Sequence, residues 1–409
     1  MMAAEGPLAL RGGPPSVSPI LPGTVQARVY ESILEVPPGP WDELVARHSR
    51  TVSRAFWEVC ECSHLSGFTL RFVLFTEEGP DGTPVPVAAT TFYIIRNDLA
   101  IFAPGWLRTP LAWIRRFAPG FLRLGMIECG TPITITSPPV AIASRAREEA
   151  VYEALDELLQ QTGNAQDLHL VVVRDFEGED RRLQPLFERL GYYWGPNLPN
   201  TYLDITWRTP EAYRDALKSY YRSKLNKHLK RNREAGVHHT LVEDFEPIAE
   251  TLWRQWMVVH THADEYQRET LSPAFYAEMS RRMGKDSRVL LFRRGEELVG
   301  HALLLLDGEL LRWLYFGRNL AVNDSLYIYV VYSVIATAIE LGMRRVEMGL
   351  TTYAIKEDLG ARRESTCMAL RTLYRPAQPL VRKLYPLLNK VPAVRSKNVF
   401  REDSLSASR

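Results

Sequence analysis

The sequence predicts an α/β (α+β) protein with two tandem domains, each built on a mixed, mostly antiparallel sheet flanked by helices. The chain has 409 residues, which is more than one hydrophobic core usually serves. The same order of predicted elements also occurs twice along the chain, which indicates an internal duplication. We therefore expect an N-terminal domain over residues 25–207 and a C-terminal domain over residues 208–376.

The first domain follows a segment, residues 1–24, that is rich in Pro, Gly and Ser and is expected to be flexible. Two apolar, β-branched runs flank the turn GPDGTP and predict a hairpin, and a third strand is expected near residues 99–102. The remaining predicted elements are helices at 41–48, 56–64, 143–161 and 181–190 and strands at 168–173 and 201–205. The order is a meander followed by helix, strand, helix and strand.

The same order returns after residue 208. A long basic helix is predicted over residues 210–235, and a hairpin is predicted from SRVLLFRR and LVGHALLLL, which flank RGEE. A helix over residues 324–341 ends at Gly342, the glycine typical of a helix C-terminus. The remaining predicted elements are strands at 238–243, 310–316, 344–350 and 364–374, helices at 247–262 and 354–359, and a tail over 377–409 with a short basic helix.

The composition is that of an ordinary globular protein, with 46% hydrophobic and 24% charged residues. The 50 lysines and arginines against 48 acidic residues give a formal net charge of +2, whereas a dedicated nucleic-acid-binding protein is usually more basic. The four cysteines are scattered and are expected to be reduced thiols. Neither a membrane helix nor the apolar stretch of a signal peptide is predicted, so we expect a cytoplasmic protein.

Two segments of the second half resemble a known family. The stretch RSKLNKHLKRNREAGVHHTLVED resembles the start of the FemAB-like acyltransferase domain, where a basic helix ends in a Gly-Val step into a strand. The stretch VEMGLTTYAIKEDLGA is similar to that family's acidic-x-Gly, Tyr-x-x-Lys and Gly-Ala segment. The resemblance covers residues 208 to about 375 and implies an acyltransferase with tandem domains of the GNAT type. The first half has no Tyr-x-x-Lys segment, so the second is expected to carry the chemistry.

The resemblance implies catalytic roles for Glu347, Tyr353 and Lys356. Transfer to an amine needs a neutral amine, stabilisation of an oxyanion and a proton for the leaving group. Lys356 could supply the charge and Tyr353 the proton, because residues three apart share one face of a helix. A surface lysine beside a buried tyrosine is the alternative. Glu347 lies on an apolar strand, where it is either a general base or the salt-bridge partner of Arg344 or Arg345.

In the GNAT arrangement an acyl donor lies where the third and fourth strands separate, here between LLRWLYFG and RRVEMGL. We expect Tyr315, Gly317 and Arg318 there, and Asn323 and Ser325 at the next helix N-terminus, where free N–H groups favour a phosphate. Helix capping explains the last two residues without any ligand. The phosphate loop of the wider superfamily is replaced by GRNLAVNDSLYIY. The implied co-substrate is acyl-CoA, and no permanently bound cofactor is expected.

Three further residues are candidates for the acceptor site. His301 lies on an inner strand, although a lone histidine there is more often a hydrogen-bonded core residue. Trp106 and Trp113 belong to the stretch GWLRTPLAWIRRFAPGF, which fits a lid, a partner groove or a membrane-surface contact. No metal is expected, because His260 and His262 are two apart and diverge by about 200° on a helix.

The sequence therefore predicts an N-acyltransferase that moves an acyl group from acyl-CoA, or from a carrier-bound thioester, to an amine of a small molecule or peptide. Two alternatives stay open. The resemblance to FemAB enzymes allows an aminoacyl transferase that uses charged tRNA, which the basic helix could grip with Tyr220 and Tyr221 among its cations. A non-catalytic binding module on the same fold is the other alternative.

Overall fold

A computed structural model describes residues 24–65, 67–98, 105–121, 123–262, 269–320, 325–389, 391–392 and 397–401. The strands are β1 (Gln26–Tyr30), β2 (Thr69–Glu78), β3 (Pro84–Asp98), β4 (Arg123–Cys129), β5 (Val140–Ile142), β6 (Leu170–Phe176), β7 (Tyr193–Asp204), β8 (Val237–Val242), β9 (Ser287–Arg294), β10 (Glu297–Asp307), β11 (Leu310–Arg318), β12 (Arg345–Glu347) and β13 (Arg362–Thr372). The helices are α1 (Pro38–Val45), α2 (Arg54–Cys62), α3 (Gly105–Ile114), α4 (Glu148–Ala165), α5 (Gln184–Arg189), α6 (Pro210–Ala216), α7 (Ser219–Glu234), α8 (Ala249–Thr261), α9 (Pro273–Met283), α10 (Leu326–Glu340), α11 (Tyr353–Asp358) and α12 (Gln378–Leu388).

Helix ends follow the capping signals of the sequence. Thr209 precedes α6 and accepts a hydrogen bond from the backbone N–H of Ala212, and Ser272 caps α9 in the same way. After α10 the predicted glycine, Gly342, has a φ of 70°, a left-handed conformation that costs glycine little. The helix therefore ends where the sequence predicts.

The strands of both halves join in one mixed, mostly antiparallel sheet, which confirms the predicted fold class. The sheet order is β1-β2-β3-β4-β6-β13-β7-β12-β11-β10-β9-β8, and β5 pairs with β3. Only the β4–β6 and β11–β12 pairs are parallel among the described strands. One parallel pair lies in each half, and it joins the last strand of the antiparallel meander to the strand that follows a helix.

The halves exchange strands at the centre of this sheet. β13, the last strand of the chain, lies between β6 and β7 of the first half, and the other edge of β7 pairs with β12. Neither half thus completes its sheet alone. The predicted boundary between residues 207 and 208 falls in the connection from β7 to α6 and stays a prediction.

A hydrophobic cluster also crosses between the halves. It joins Phe56 and Trp57 of α2 to Phe275, Tyr276 and Met279 of α9, all of them buried. Burial of large aromatic and aliphatic side chains is the main favourable term in folding, so this cluster holds the halves together. None of the described helices combines the length and apolar character that a bilayer crossing needs.

The predicted basic helix differs from the structure. The long basic helix is interrupted at Leu217, which is extended and fully buried, and its neighbours there hydrogen-bond with residues 399–401. Pairing with the end of the chain therefore divides the helix into α6 and α7. The strand expected at residues 99–102 lies outside the described residues, and the third strand of the first meander is β4.

Candidate active site

A cavity of about 240 Å³ opens where β11 and the chain after β12 separate, and we call it the β11 cavity. The two strands pair in parallel over only three residues each, ending with Arg312 beside Glu347. The cavity is lined by residues 313–316 of β11, residues 348–352, Trp256, Val259 and His260 of α8, and Thr134, Glu269, Tyr327 and Lys356. The predicted gap between these strands is present.

Lys356 stands in the wall of the β11 cavity although only 3% of it is exposed to solvent. Its Nζ donates a hydrogen bond of 2.5 Å to the carbonyl of Thr351 and lies 5.8 Å from the centre of the Trp313 ring, within the range of a cation–π interaction. These contacts fix the ammonium at the cavity. The alternative of a surface lysine beside a buried tyrosine is wrong, because Lys356 is buried and Tyr353 is half-buried.

Tyr353 begins α11, but it is not among the residues that line the cavity. Its hydroxyl donates to the carbonyl of Pro199 on β7 at 2.9 Å, and the Arg363 guanidinium lies 4.4 Å from the centre of its ring. The hydroxyl is therefore directed at the central strands, although Tyr353 and Lys356 belong to the same short helix.

Glu347 is buried and ion-paired outside the cavity lining. Its carboxylate pairs with the guanidinium of Arg312 and accepts a hydrogen bond of 2.5 Å from the Asn200 amide. The alternative of a salt bridge to Arg344 or Arg345 is wrong, because the salt-bridge partner of Glu347 is Arg312. These arginines pair instead with acidic residues nearer the surface.

The pKa of Arg312 reflects the same cluster. Burial by itself would lower this pKa, but the carboxylates of Glu347 and Asp307 raise it above the usual value of arginine. The Arg312 guanidinium therefore stays charged in the protein interior, beside the two carboxylates.

Glu269 is an acidic cavity residue that the sequence did not predict. It is 5% exposed, and its carboxylate accepts hydrogen bonds from the Tyr315 hydroxyl at 2.6 Å and from Thr134 through both the backbone N–H at 3.0 Å and the side chain at 2.6 Å. Burial, and then the charge of Glu269, raise the pKa of Tyr315 well above its usual value. Tyr315 thus lines the cavity as a hydrogen-bond donor.

His260 of α8 lines the cavity, and the centre of its ring lies 4.3 Å from the centre of the Trp256 ring. Burial lowers its pKa, and the nearby carboxylate of Glu269 opposes this effect. His262 turns away, with Nδ1 2.8 Å from the Val258 carbonyl. Within the described part of the chain no group of side chains has the composition of a metal site.

His301 and Gly317 serve the core next to the cavity. The His301 ring is fully buried between the Tyr276 hydroxyl, 3.0 Å from Nε2, and the Gln255 amide oxygen, 2.9 Å from Nδ1. Burial lowers the pKa of His301 to about 3, so the ring is neutral. A Cβ at position 317 would lie 2.2 Å from this ring, so the close packing requires glycine there. Neither residue lines the cavity.

The residues expected to bind a phosphate lie apart from the cavity lining. Arg318 is nearly buried, with its guanidinium 6.0 Å from the centre of the Phe316 ring. Ser325 precedes α10 without capping it through its side chain, and its hydroxyl lies 3.0 Å from Nδ1 of His228. Ser325 thus occupies the predicted N-cap position of α10, but its side chain makes no capping hydrogen bond. Asn323 lies outside the described residues, and phosphate binding here stays a prediction.

The predicted acceptor tryptophans lie on α3, and Trp113 does not appear in the cavity lining. Trp113 is 61% exposed. The side chain of Trp106 is outside the part of the structure that is described. Their role at an acceptor site stays a prediction.

A family model named FemAB-like and described as peptidoglycan biosynthesis and recognition matches residues 32–352. The chain belongs to the FemAB-like family. The match includes most of the first half, which the sequence related to this family only through the order of its predicted elements. FemAB-like membership supports an enzyme of the transferase kind.

The FemAB-like chain is also similar to a putative 8-amino-7-oxononanoate synthase 2 of Mycobacterium tuberculosis (strain H37Rv), at 29% identity over 314 residues. This match covers 74% of the chain but 40% of that relative, so the chain spans less than half of its length. Among solved structures, the chain is similar to FemX, with a TM-score of 0.54 and 12% sequence identity. The similarity covers 85% of this chain and 99% of the FemX chain. At that identity the likeness shows the fold alone.

Proposed function

We propose that this FemAB-like protein transfers an acyl group from an activated ester or thioester to an amine in the β11 cavity. The observation that carries the proposal is that two nearly buried side chains, a lysine (Lys356) and a glutamate (Glu269), both line one cavity of about 240 Å³. Such charges are costly to bury, and a site where charge develops during the reaction makes use of them.

The reaction assigns each group one task. The amine enters as an ammonium ion, is attracted by the Glu269 carboxylate and gives it a proton. The neutral nitrogen then attacks the acyl carbonyl carbon, and the ammonium of Lys356 stabilises the oxyanion that forms. Collapse of this intermediate breaks the bond to the leaving thiol or alcohol, which takes the proton held by Glu269. The new amide nitrogen then gives its extra proton to the Glu269 carboxylate, which releases it to solvent.

The surroundings of the two charges support these tasks. Three hydrogen bonds from Thr134 and Tyr315 orient the Glu269 carboxylate, and the Thr351 carbonyl orients the Lys356 ammonium. Aromatic side chains make up much of the remaining wall. A low-dielectric wall strengthens the attraction between an oxyanion and a fixed cation.

Acyl-CoA or another acyl thioester is the donor that the GNAT arrangement favours, with its acyl end in the β11 cavity and the remainder reaching toward α10. A charged tRNA is the second candidate donor. Helix α7 favours this donor, because its exposed cations could bind the phosphates of a tRNA; they are Lys227, Lys230, Arg231 and Arg233. His228 and Asn232 of the same helix contact Ser325, so α7 lies against the start of α10. No resident cofactor is part of either proposal.

Turnover of the full chain tests the proposal, with mass spectrometry as the readout for panels of acyl-CoA esters and charged tRNAs presented with amines. We expect Lys356→Met to lower kcat by about 10²- to 10³-fold, the usual loss of an oxyanion partner. Lys397→Met is the matched control, since Lys397 pairs with Asp358 of the same helix outside the cavity. Wild-type kcat in Lys356→Met would exclude the β11 cavity as the site.

Binding at two ionic strengths separates the donors. Affinity for a tRNA falls steeply with salt because counterions are released from its phosphates, whereas affinity for a thioester changes little. Strongly salt-dependent binding of charged tRNA, with no thermal shift from any CoA ester, would assign the transfer to the aminoacyl type.

A further inference from the structure

A turn after α3 exposes three aromatic side chains together. Trp113, Phe117 and Phe121 are 61%, 77% and 40% exposed, and we call residues 113–121 the aromatic turn. Single exposed aromatic residues are ordinary, but three on one turn form a patch that marks an interaction site.

The aromatic turn is held by hydrogen bonds. The Arg115 guanidinium donates to the Phe121 carbonyl at 3.0 and 2.9 Å, and the backbone N–H groups of Phe117 and Ala118 donate to the Ile114 carbonyl. The Trp113 and Phe117 rings meet edge to face at 5.2 Å. The exposure of these rings is therefore part of a defined conformation.

Helix α12 presents a second exposed apolar surface. Leu380 and Leu384 are 55% and 40% exposed, whereas Val381 and Tyr385 pack on a cluster that includes Leu124 of β4. β4 begins two residues after the aromatic turn. The two exposed surfaces thus border one small core.

Both segments are basic and free of acidic residues. Residues 99–127 contain four arginines and no Asp or Glu, and residues 365–401 contain eight lysines and arginines and no Asp or Glu. The exposed cations beside the apolar side chains include Arg116, Arg123, Arg382 and Lys383. In a chain whose net charge is +2, this concentration of positive charge is local.

We propose that the aromatic turn and the exposed face of α12 together bind the headgroup region of an anionic lipid bilayer. Trp, Phe and Leu side chains enter the boundary between headgroups and acyl chains, while arginine and lysine attract the lipid phosphates. A nucleic acid would use the cations and the rings, but it offers nothing to the aliphatic side chains Leu380 and Leu384. The proposal is independent of the reaction in the β11 cavity.

Flotation of the full chain with lipid vesicles tests this surface. We expect binding to phosphatidylcholine vesicles that contain phosphatidylglycerol, weaker binding at high salt, and little binding to phosphatidylcholine alone. The double variants Trp113→Ser with Phe117→Ser, and Leu380→Ser with Leu384→Ser, should each lower the bound fraction about tenfold or more, because each removes exposed apolar area. Leu34→Ser and Leu320→Ser remove exposed leucines elsewhere and should leave binding unchanged.

Circular dichroism and thermal unfolding of each variant establish that it is folded. Failure of the wild type to float with the anionic vesicles, or flotation that both double variants retain, would overturn the proposal. Binding of tRNA without vesicle binding, weakened by the same substitutions, would assign the surface to nucleic acid. A dimer in light scattering that the substitutions dissociate would assign it to a second copy of the chain.

Discussion

Arg312 of β11 and Glu347 of β12 stand opposite each other in the parallel register, and their side chains form a buried ion pair at the last position before the strands separate. The Arg312 guanidinium also donates to the Thr136 carbonyl of the first half at 2.8 Å, and Asn200 of β7 donates to Glu347. The base of the β11 cavity therefore depends on both halves of the chain.

Arg312→Met should destabilise the protein by about 3–5 kcal/mol, because it leaves the carboxylates of Glu347 and Asp307 buried without their cation. Urea denaturation measures this loss. Adding Glu347→Gln should cost less than the sum of the single changes, since the two side chains interact directly. The exposed Arg281→Met serves as the control and should not move the midpoint measurably. Additive losses for the pair would show that it contributes nothing as a pair.

Glu269→Gln and Glu347→Gln form a matched test of which carboxylate acts in the reaction. Both residues are almost fully buried, but only Glu269 lines the β11 cavity. Glu269→Gln should lower kcat by about 10²-fold or more, the range of a lost general base, and Glu347→Gln should lower the unfolding midpoint while kcat of the folded protein changes little. Steady-state kinetics below the unfolding temperature give the answer. The reverse pattern would return the general-base role to Glu347.

The sequence predicts individual helices and strands better than it predicts which strands pair with each other. The bounds of β9 agree with the predicted SRVLLFRR, because alternating and apolar runs are local signals. The insertion of β13 between β6 and β7 was not predictable, since nothing local in ESTCMALRTLY specifies that its neighbours belong to the other half. β4 has no counterpart among the predicted strands, and the strand predicted near residues 99–102 lies outside the described residues.

Some residues of the candidate site are predictable from the sequence, and others are not. Lys356 and Tyr315 were placed by a motif and by strand position, and both line the cavity. Glu269 lies in a connection between α8 and α9 with no periodicity, and its partner Thr134 is 135 residues earlier in the chain. A contact of that sequence separation leaves no local pattern, so only the folded chain reveals it.

The pH dependence of stability should contain a contribution from His301. Burial lowers its pKa from 6.5 to about 3. Below pH 6.5 the unfolded chain therefore binds a proton that the folded protein excludes, and the free energy of unfolding falls as the pH decreases toward 3. His301→Gln should reduce this slope by up to about 1.4 kcal/mol per pH unit, measured by urea denaturation at several pH values from 7 to 5. His262→Gln, at an exposed position, is the control, and equal slopes in wild type and His301→Gln would contradict the assignment.

Residues 208–409 expressed alone should be poorly soluble and inactive. Without the first half, β13 loses both neighbouring strands, β6 and β7, and β12 loses its pairing with β7. Unpaired strand edges pair with other chains and aggregate. The fragment would also lack Thr134, which holds the Glu269 carboxylate. Co-expression with residues 1–207 should restore solubility and turnover, because the second chain supplies the missing strands. Light scattering and the turnover assay check both outcomes. A monomeric, soluble fragment with wild-type kcat would show that the exchanged strands and Thr134 are dispensable for the reaction.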